Sequence, residues 1–257
     1  MYDITKLLSK KHFNKLLKCL PSPKQKKRGR PRIQKEALVN GILQVLVNGV
    51  SWGKIAFCGC GYVTCFRYFK ELQRRGKLKL IYQSLARVRT DIKIGAIDTT
   101  LVRSFEFAQM TGFNGQHKEM GTKVSLFADK EGLPVDVQFG KGNINDKEFV
   151  LSHLKNTAGK IKKVLNLDMS YMSLSLRRAM RQKGIRVNMK VRKQDFQRKR
   201  GPKFKFDDQK YVTKWLLERT NGWVKAFRRL RLRREYHPAM FKAFVFLALI
   251  LILIRQS

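Results

Sequence analysis

A chain of 257 residues can bury a full core, and its length fits either one large domain or a small one joined to a larger. Its 56 Lys plus Arg against 18 Asp plus Glu leave a net charge of +38 and a pI near 10.6; such an excess repels itself unless a polyanion is near, which favours nucleic acid over an acidic membrane surface or a merely solvated basic one. Hydrophobic content of 43% and aromatic content of 11% exclude global disorder.

The first 90 residues read as helical with basic interruptions. Leu7 to Leu20 repeats apolar positions at intervals of three and four until Pro21 and Pro23 stop it. "KQKKRGRPR", Lys24 to Arg32, is too basic to pack a core. Its Arg28-Gly29-Arg30-Pro31 centre resembles an AT-hook, whose arginines enter the narrow minor groove of A·T-rich DNA; a flexible basic linker is the alternative. Glu36 to Val50 and Val63 to Gly76 predict two more helices across a glycine-punctuated turn, which suits a small DNA-binding bundle or a helical packing module. Cys19, Cys58, Cys60 and Cys65 form neither paired CxxC knuckles nor a secreted-type framework. A zinc site at Cys58, Cys60 and Cys65 would have irregular spacing and no evident fourth ligand. No signal-peptide pattern opens the sequence, so a reducing cytosol is the expected compartment.

From Ile92 the period changes. "KIGAID", "TKVSLFA" and "LPVDVQFG" predict three strands, with Asp129 to Gly132 at a hairpin turn. A helix follows from Asn145, the expected N-cap, with Glu148 at the capping-box position. "KKVLNLD" predicts a fourth strand, "SLSLRRAMRQKG" a helix closed by Gly184, and "IRVNMKV" a fifth strand. The order gives a mixed α/β sheet, a meander followed by crossover units. The basic stretch Lys190 to Lys205 reads as a loop along DNA or a disordered connector. Ala243 to Ile254 is apolar but too short to span a bilayer, which takes about 20 residues, so it predicts a buried core helix.

Asp98 and Asp168 each follow an apolar strand, and carboxylates at strand ends of an α/β sheet sit where ligands bind. A turn or N-cap role is the alternative for either one alone. In the predicted helix Tyr211 to Leu230, Val212, Leu216, Trp223 and Phe227 share one arc, the expected core seam. Tyr211, Lys214, Glu218, Lys225 and Arg229 share the opposite one, making Glu218 an acid among cations; a solvated face with ion pairs is the other reading. Three converging carboxylates repel one another unless a divalent cation neutralises them, and hard oxygen ligands favour Mg²⁺ or Mn²⁺. Two such ions support in-line phosphoryl displacement.

The sequence resembles an insertion-sequence transposase of the DDE superfamily, of the family-five type. "GRPR…ALVNGILQVLVNGVSW…YVTCFRYFKELQRRG" is similar to that group's N-terminal helical domain. "AIDTTLVR", "GTKVSLFADKEGLPVDVQFGKGNINDKEF", "LNLDMSY" and "LLERTNGWVKAFRRLRLR" follow its catalytic domain in order. Tyr211, Lys214, Glu218 and Lys225 keep the spacing of a Tyr, Arg, Glu, Lys signature, with Lys in place of Arg. The resemblance implies a ribonuclease H-like catalytic domain over 91–257 behind a helical DNA-binding domain over 1–90. It makes Asp98, Asp168 and Glu218 the catalytic and metal-holding triad, with two Mg²⁺ or Mn²⁺ ions. Arg28, Arg30, Tyr211, Lys214, Lys225 and Arg229 are the expected DNA contacts. The expected activity is metal-dependent cleavage at the ends of a mobile element and strand transfer into target DNA. The partners are double-stranded DNA, at terminal inverted repeats and target, and a second copy of the chain; no membrane is involved, and the location is cytoplasmic, on the nucleoid. A non-catalytic DNA-binding derivative, a nuclease that cuts without joining, and a scaffold that condenses nucleic acid are the rivals.

Overall fold

A computed structural model describes residues 8–23, 31–56, 59–88, 92–157, 161–171, 173–190 and 206–256. The basic centre with Arg28 and Arg30, the thiol of Cys58 and residues 191–205 of the basic stretch lie outside them. The chain divides into two compact units, Met1–Leu85 with Val102–Thr111 and Trp223–Ser257, and Ala86–Leu101 with Gly112–Gly222.

The first unit is helical. It contains α1 (Lys10–Cys19), α2 (Lys35–Asn48), α3 (Tyr62–Arg74), most of α4 (Lys77–Arg87) and, from the far end of the chain, α8 (Pro238–Arg255). Ser9 caps α1 by accepting the His12 N–H, and the Lys35 ammonium donates to the carbonyls of Leu17 and Leu20 just past the helix end. α2 closes on Gly49 at φ 68°, a left-handed C-cap. α8 is apolar all round, and Phe241 and every residue from Ala243 to Ile254 is buried, as expected of a core helix. It is the helix among the described residues long and apolar enough to cross a membrane. Here its rings fill a protein core: Phe244 stacks on Phe69 at 4.4 Å, and Phe246 packs on Tyr82 at 5.7 Å.

The second unit is built on a mixed sheet. Its strands are β1 (Ile92–Ser104), β2 (Gly112–Asn114), β3 (Glu119–Ala128), β4 (Pro134–Lys141), β5 (Ile161–Asn166) and β6 (Arg186–Asn188). The order is β2-β3-β1-β5-β6, with β4 on β3. β3 and β4 form the expected hairpin: Asp129 Oδ1 accepts the N–H groups of Glu131 and Leu133, and Gly132 takes φ 79°. α5 (Asp146–Asn156), capped by Asn145 as predicted, leads to β5, and α6 (Leu174–Gln182), capped by Ser173, leads to β6. β1, β5 and β6 run parallel. The core joins both kinds of element, with Ile97, Phe127, Val150, Leu165, Leu176 and Met180 buried together.

The first strand does not end at Asp98. β1 runs on through Thr99–Ser104, because that segment is rich in β-branched residues. Its last residues, Arg103 and Ser104, pair with Leu232 and Arg233 of β7 (Leu232–Arg233) within the first unit. The helix predicted over Tyr211–Leu230 also ends earlier: α7 spans Asp208–Ala226, and Arg228–Leu230 form a separate 3₁₀ turn.

Candidate active site

The sheet register brings the two aspartates together. β1 and β5 are parallel neighbours with Gly95 beside Leu165 and Ala96 beside Asn166. Two more residues along each chain place Asp98 level with Asp168. A side-chain tie holds that level: Tyr171 Oη and Thr99 Oγ1 are hydrogen-bonded at 2.9 Å, while the Tyr171 N–H donates to the Asp168 carbonyl at 3.1 Å. Thr99 also donates to Ser125 at 3.0 Å, Ser125 meets His153 Nε2 at 3.0 Å, and His153 Nδ1 meets Asp136 at 2.8 Å. This buried chain of polar groups braces β1 against β3, β4 and α5; buried groups so paired specify one arrangement.

Glu218 arrives on α7. The helix is set against the hairpin turn, where the Thr220 hydroxyl donates to the Gly132 carbonyl at 2.6 Å. Its buried residues are Thr213, Lys214, Leu217, Thr220, Asn221 and Val224. The expected seam of Val212, Leu216, Trp223 and Phe227 is therefore not the one used: Val212 is 56% exposed, and Phe227 is buried only beyond the helix end. The inward face of α7 is chosen by hydrogen-bond partners, so apolarity does not mark it.

Lys214 and Asn221 both reach Asp98. Lys214 Nζ lies 2.5 Å from Oδ1, and Asn221 Nδ2 donates to Oδ2 at 2.6 Å. Lys214 Nζ is also 3.8 Å from Glu218 Oε1, while the Glu218 side chain is 57% exposed. Asp168 is exposed and accepts the Met169 N–H at 2.8 Å. One phenol senses all three acids: the Tyr211 pKa is pushed up to about 12, by burial first and then by the charges of Asp168, Glu218 and Asp98. Burial, and more weakly Asp98, Asp146 and Asp168, push Tyr171 up as well, against the effect of its hydrogen bond with Thr99.

The triad residues thus share one neighbourhood. Among the described residues no three acids, histidines or cysteines stand as a ready-made metal cluster. The donor set nonetheless suits a hard divalent cation: three carboxylates, and the amide oxygen of Asn221, which is buried and without a partner among the described residues. The other predicted residues scatter. Tyr211 is half-buried against Phe206, with the Lys190 ammonium 5.7 Å from its ring. Lys225 is exposed on the last turn of α7. Lys214 is buried rather than presented to solvent, because Asp98 holds it. Arg229 is buried too; its Nε binds Glu235 at 2.6 Å and its guanidinium lies 5.5 Å from the Phe244 ring, so it is a core ion pair and not a phosphate contact. Asn221, Thr99 and Tyr171 were missed. The signal for Asn221 was its spacing, seven residues after Lys214 and three after Glu218, which puts it on their side of a helix.

Comparison with known proteins bears on this arrangement. Residues 89–253 match the family model "Transposase DDE domain", and residues 8–82 match "Putative transposase of IS4/5 family (DUF4096)". No curated protein matches the chain. Among solved structures, a cryo-EM structure of the piggyBac transposase synaptic complex with hairpin DNA is similar, with a TM-score of 0.57 at 11% identity, covering 100% of this chain and 73% of that one. A crystal structure of a pre-cleavage Mos1 transpososome aligns over 86% of this chain and 81% of its own at 11% identity, with a TM-score of 0.28.

Proposed function

The chain belongs to the DDE transposase family, of the insertion-sequence IS4/5 type, and from that premise we propose that Asp98, Asp168 and Glu218 hold two divalent ions, Mg²⁺ or Mn²⁺, at which DNA strands are cut and joined. It is a DNA transposase on a ribonuclease H-like sheet preceded by helices. The observation that supports the site assignment is the Lys214 ammonium lying 2.5 Å from Asp98 and 3.8 Å from Glu218, together with the β1–β5 register. When bound, the ions would activate the attacking hydroxyl and stabilise the leaving oxygen.

The chain's residues supply the rest. Thr99 and Tyr171 fix the spacing of the two aspartates, Thr220 seats Glu218's helix on the hairpin, and exposed Lys225 offers its charge to a flanking phosphate. Arg28 and Arg30 join binding of the element's terminal inverted repeats, and residues 1–90 form the DNA-binding domain ahead of catalytic residues 91–257. In the first step, water attacks a phosphodiester at the element end; a P–O bond forms, the P–O3′ bond breaks, and a 3′-hydroxyl is freed. In the second, that hydroxyl attacks a target phosphodiester, exchanging one P–O bond for another with no further energy source. Pairing two ends calls for a homodimer acting on nucleoid DNA in the cytoplasm, with no membrane partner.

The test uses a labelled duplex carrying the DNA ends that flank the gene, with Mg²⁺, Mn²⁺ or chelator. Metal-dependent nicked and joined products are expected, and Asp98→Asn should abolish both while duplex binding persists. Loss of binding in the variant would make Asp98 structural. Tight binding by the unaltered chain without cleavage under either metal would establish a non-catalytic derivative, and cleavage without joining a nuclease.

A further inference from the structure

Both carboxylate oxygens of Asp98 are engaged, and by chemically different groups. Lys214 brings a full positive charge to Oδ1 at 2.5 Å; Asn221 brings a neutral amide to Oδ2 at 2.6 Å. The Lys214 side chain is only 4% exposed, and its Nζ also lies 3.8 Å from Glu218. One ammonium therefore stands between two of the three acids, where a cation shared by those acids must be. Asn221 has given one N–H to Asp98 and keeps a buried oxygen with no partner among the described residues. A buried carbonyl left unpaired is costly, so a donor or a cation completes it in the working state.

We propose that Lys214 is a resident counter-ion that occupies the cation position between Asp98 and Glu218 and is displaced when a divalent ion binds, whereas Asn221 is a positioning residue that keeps Asp98 aimed at that position throughout. This rests on the reading of the three acids as metal ligands. The lysine stem is flexible and its head is a point charge, so it can leave a carboxylate that a rigid fork would keep. A displaced ammonium is then free for a DNA phosphate. The two residues thus have opposite effects on the ion: Lys214 competes with it, and Asn221 prepares its ligand. A merely structural role would not separate them, because two donors that only held Asp98 in place would both weaken the site when removed.

The experiment is Mn²⁺ binding to the full chain without DNA, followed by the electron paramagnetic resonance of free Mn²⁺, for the unaltered chain, Asp98→Asn, Lys214→Met, Lys214→Gln and Asn221→Ala. Asn221→Ala should bind about 10-fold or more weakly, the scale for losing a group that orients a metal ligand. Both Lys214 variants should bind more tightly by a similar factor, about 10-fold. Thermal unfolding in chelator is the second readout: Lys214→Met should unfold earlier than the unaltered chain, since the acids have lost their cation, and should regain more than the unaltered chain does when Mn²⁺ is added. Weakened binding in every variant, or no change in either Lys214 variant, would overturn the counter-ion assignment. Equal, non-saturating Mn²⁺ uptake by the unaltered chain and Asp98→Asn would instead sink the metal-site reading on which it rests.

Discussion

Gly132 joins the hairpin turn to the helix that carries Glu218, and adding one methyl group there tests that joint. Gly132→Ala places a side chain at φ 79°, a left-handed conformation that costs an L-residue about 1–2 kcal/mol. The new Cβ would lie 2.7 Å from the Leu216 carbonyl oxygen and 2.8 Å from its carbon. Non-bonded carbon contacts settle at about 3.5–4.0 Å, so roughly 0.7 Å must open between turn and helix. The obstacle is backbone and cannot rotate away. The Thr220 hydroxyl, bonded to Gly132 O at 2.6 Å and Leu216 O at 3.1 Å, resists sliding of either side. Overpacking of this kind costs about 1–3 kcal/mol; with the backbone cost, the expected loss of stability is about 2–5 kcal/mol. Glu218 lies one half-turn from Leu216, and a displacement near 1 Å is worth about 10²-fold in rate. Guanidinium unfolding measures the first effect and metal-dependent cleavage of a labelled duplex the second. Gly115→Ala, where the added Cβ meets nothing within 4 Å, is the control and should change stability by less than about 0.5 kcal/mol. A Gly132→Ala chain as stable and as active as that control would refute the account of how the helix is seated.

Tyr171→Phe removes the hydroxyl tie to Thr99; it should cost about 1 kcal/mol and raise the Mn²⁺ concentration for half-maximal cleavage about 10-fold, and unchanged metal dependence would confine Tyr171 to packing. Glu235→Ala strands Arg229 in the core of the first unit, and should destabilise by about 3–5 kcal/mol in a denaturant titration; less than about 1 kcal/mol would mean the guanidinium finds water. Tyr211 has a raised folded-state pKa of about 12, so its contribution to stability is complete below the unfolded phenol value near 10 and is lost as pH rises through 10 to 12. Tyr211→Phe should therefore flatten the alkaline fall in melting temperature over that window; parallel curves for the two chains would show that the phenol is not buried among the acids.

Local chemistry was legible in the sequence, and partner choice was not. The hairpin announced itself through Asp129 and Gly132, the crossover helices through the Asn145 cap and the closing Gly184, and the core helix through its unbroken apolar run. Each of those signals is confined to a few neighbouring residues. The face of α7 is decided at long range: Lys214 and Asn221 turn inward because Asp98, more than a hundred residues earlier, needs two donors. Periodicity ranks residues by apolarity, so it assigned the inward side to Val212 and Leu216. Arg229 misled for the same reason. Its register fits a continuous helix, but α7 stops at Ala226, and the 3₁₀ turn that follows swings the guanidinium onto Glu235.

The charge balance gives the three acids their meaning. The chain holds 56 cations to 18 acids, and several acids away from the site have a cation of their own: Asp146 has Lys123, Glu71 has Arg75, and Glu235 has Arg229. Asp168 and Glu218 do not. Asp168 makes no ion pair among the described residues, and Glu218 has only a 3.8 Å contact with an ammonium already committed to Asp98 at 2.5 Å. Three acids served by one lysine are short of positive charge, in a chain that has it in excess. In the proposed site a divalent ion would satisfy that deficit, and the surrounding excess of positive charge would draw in the DNA on which it acts.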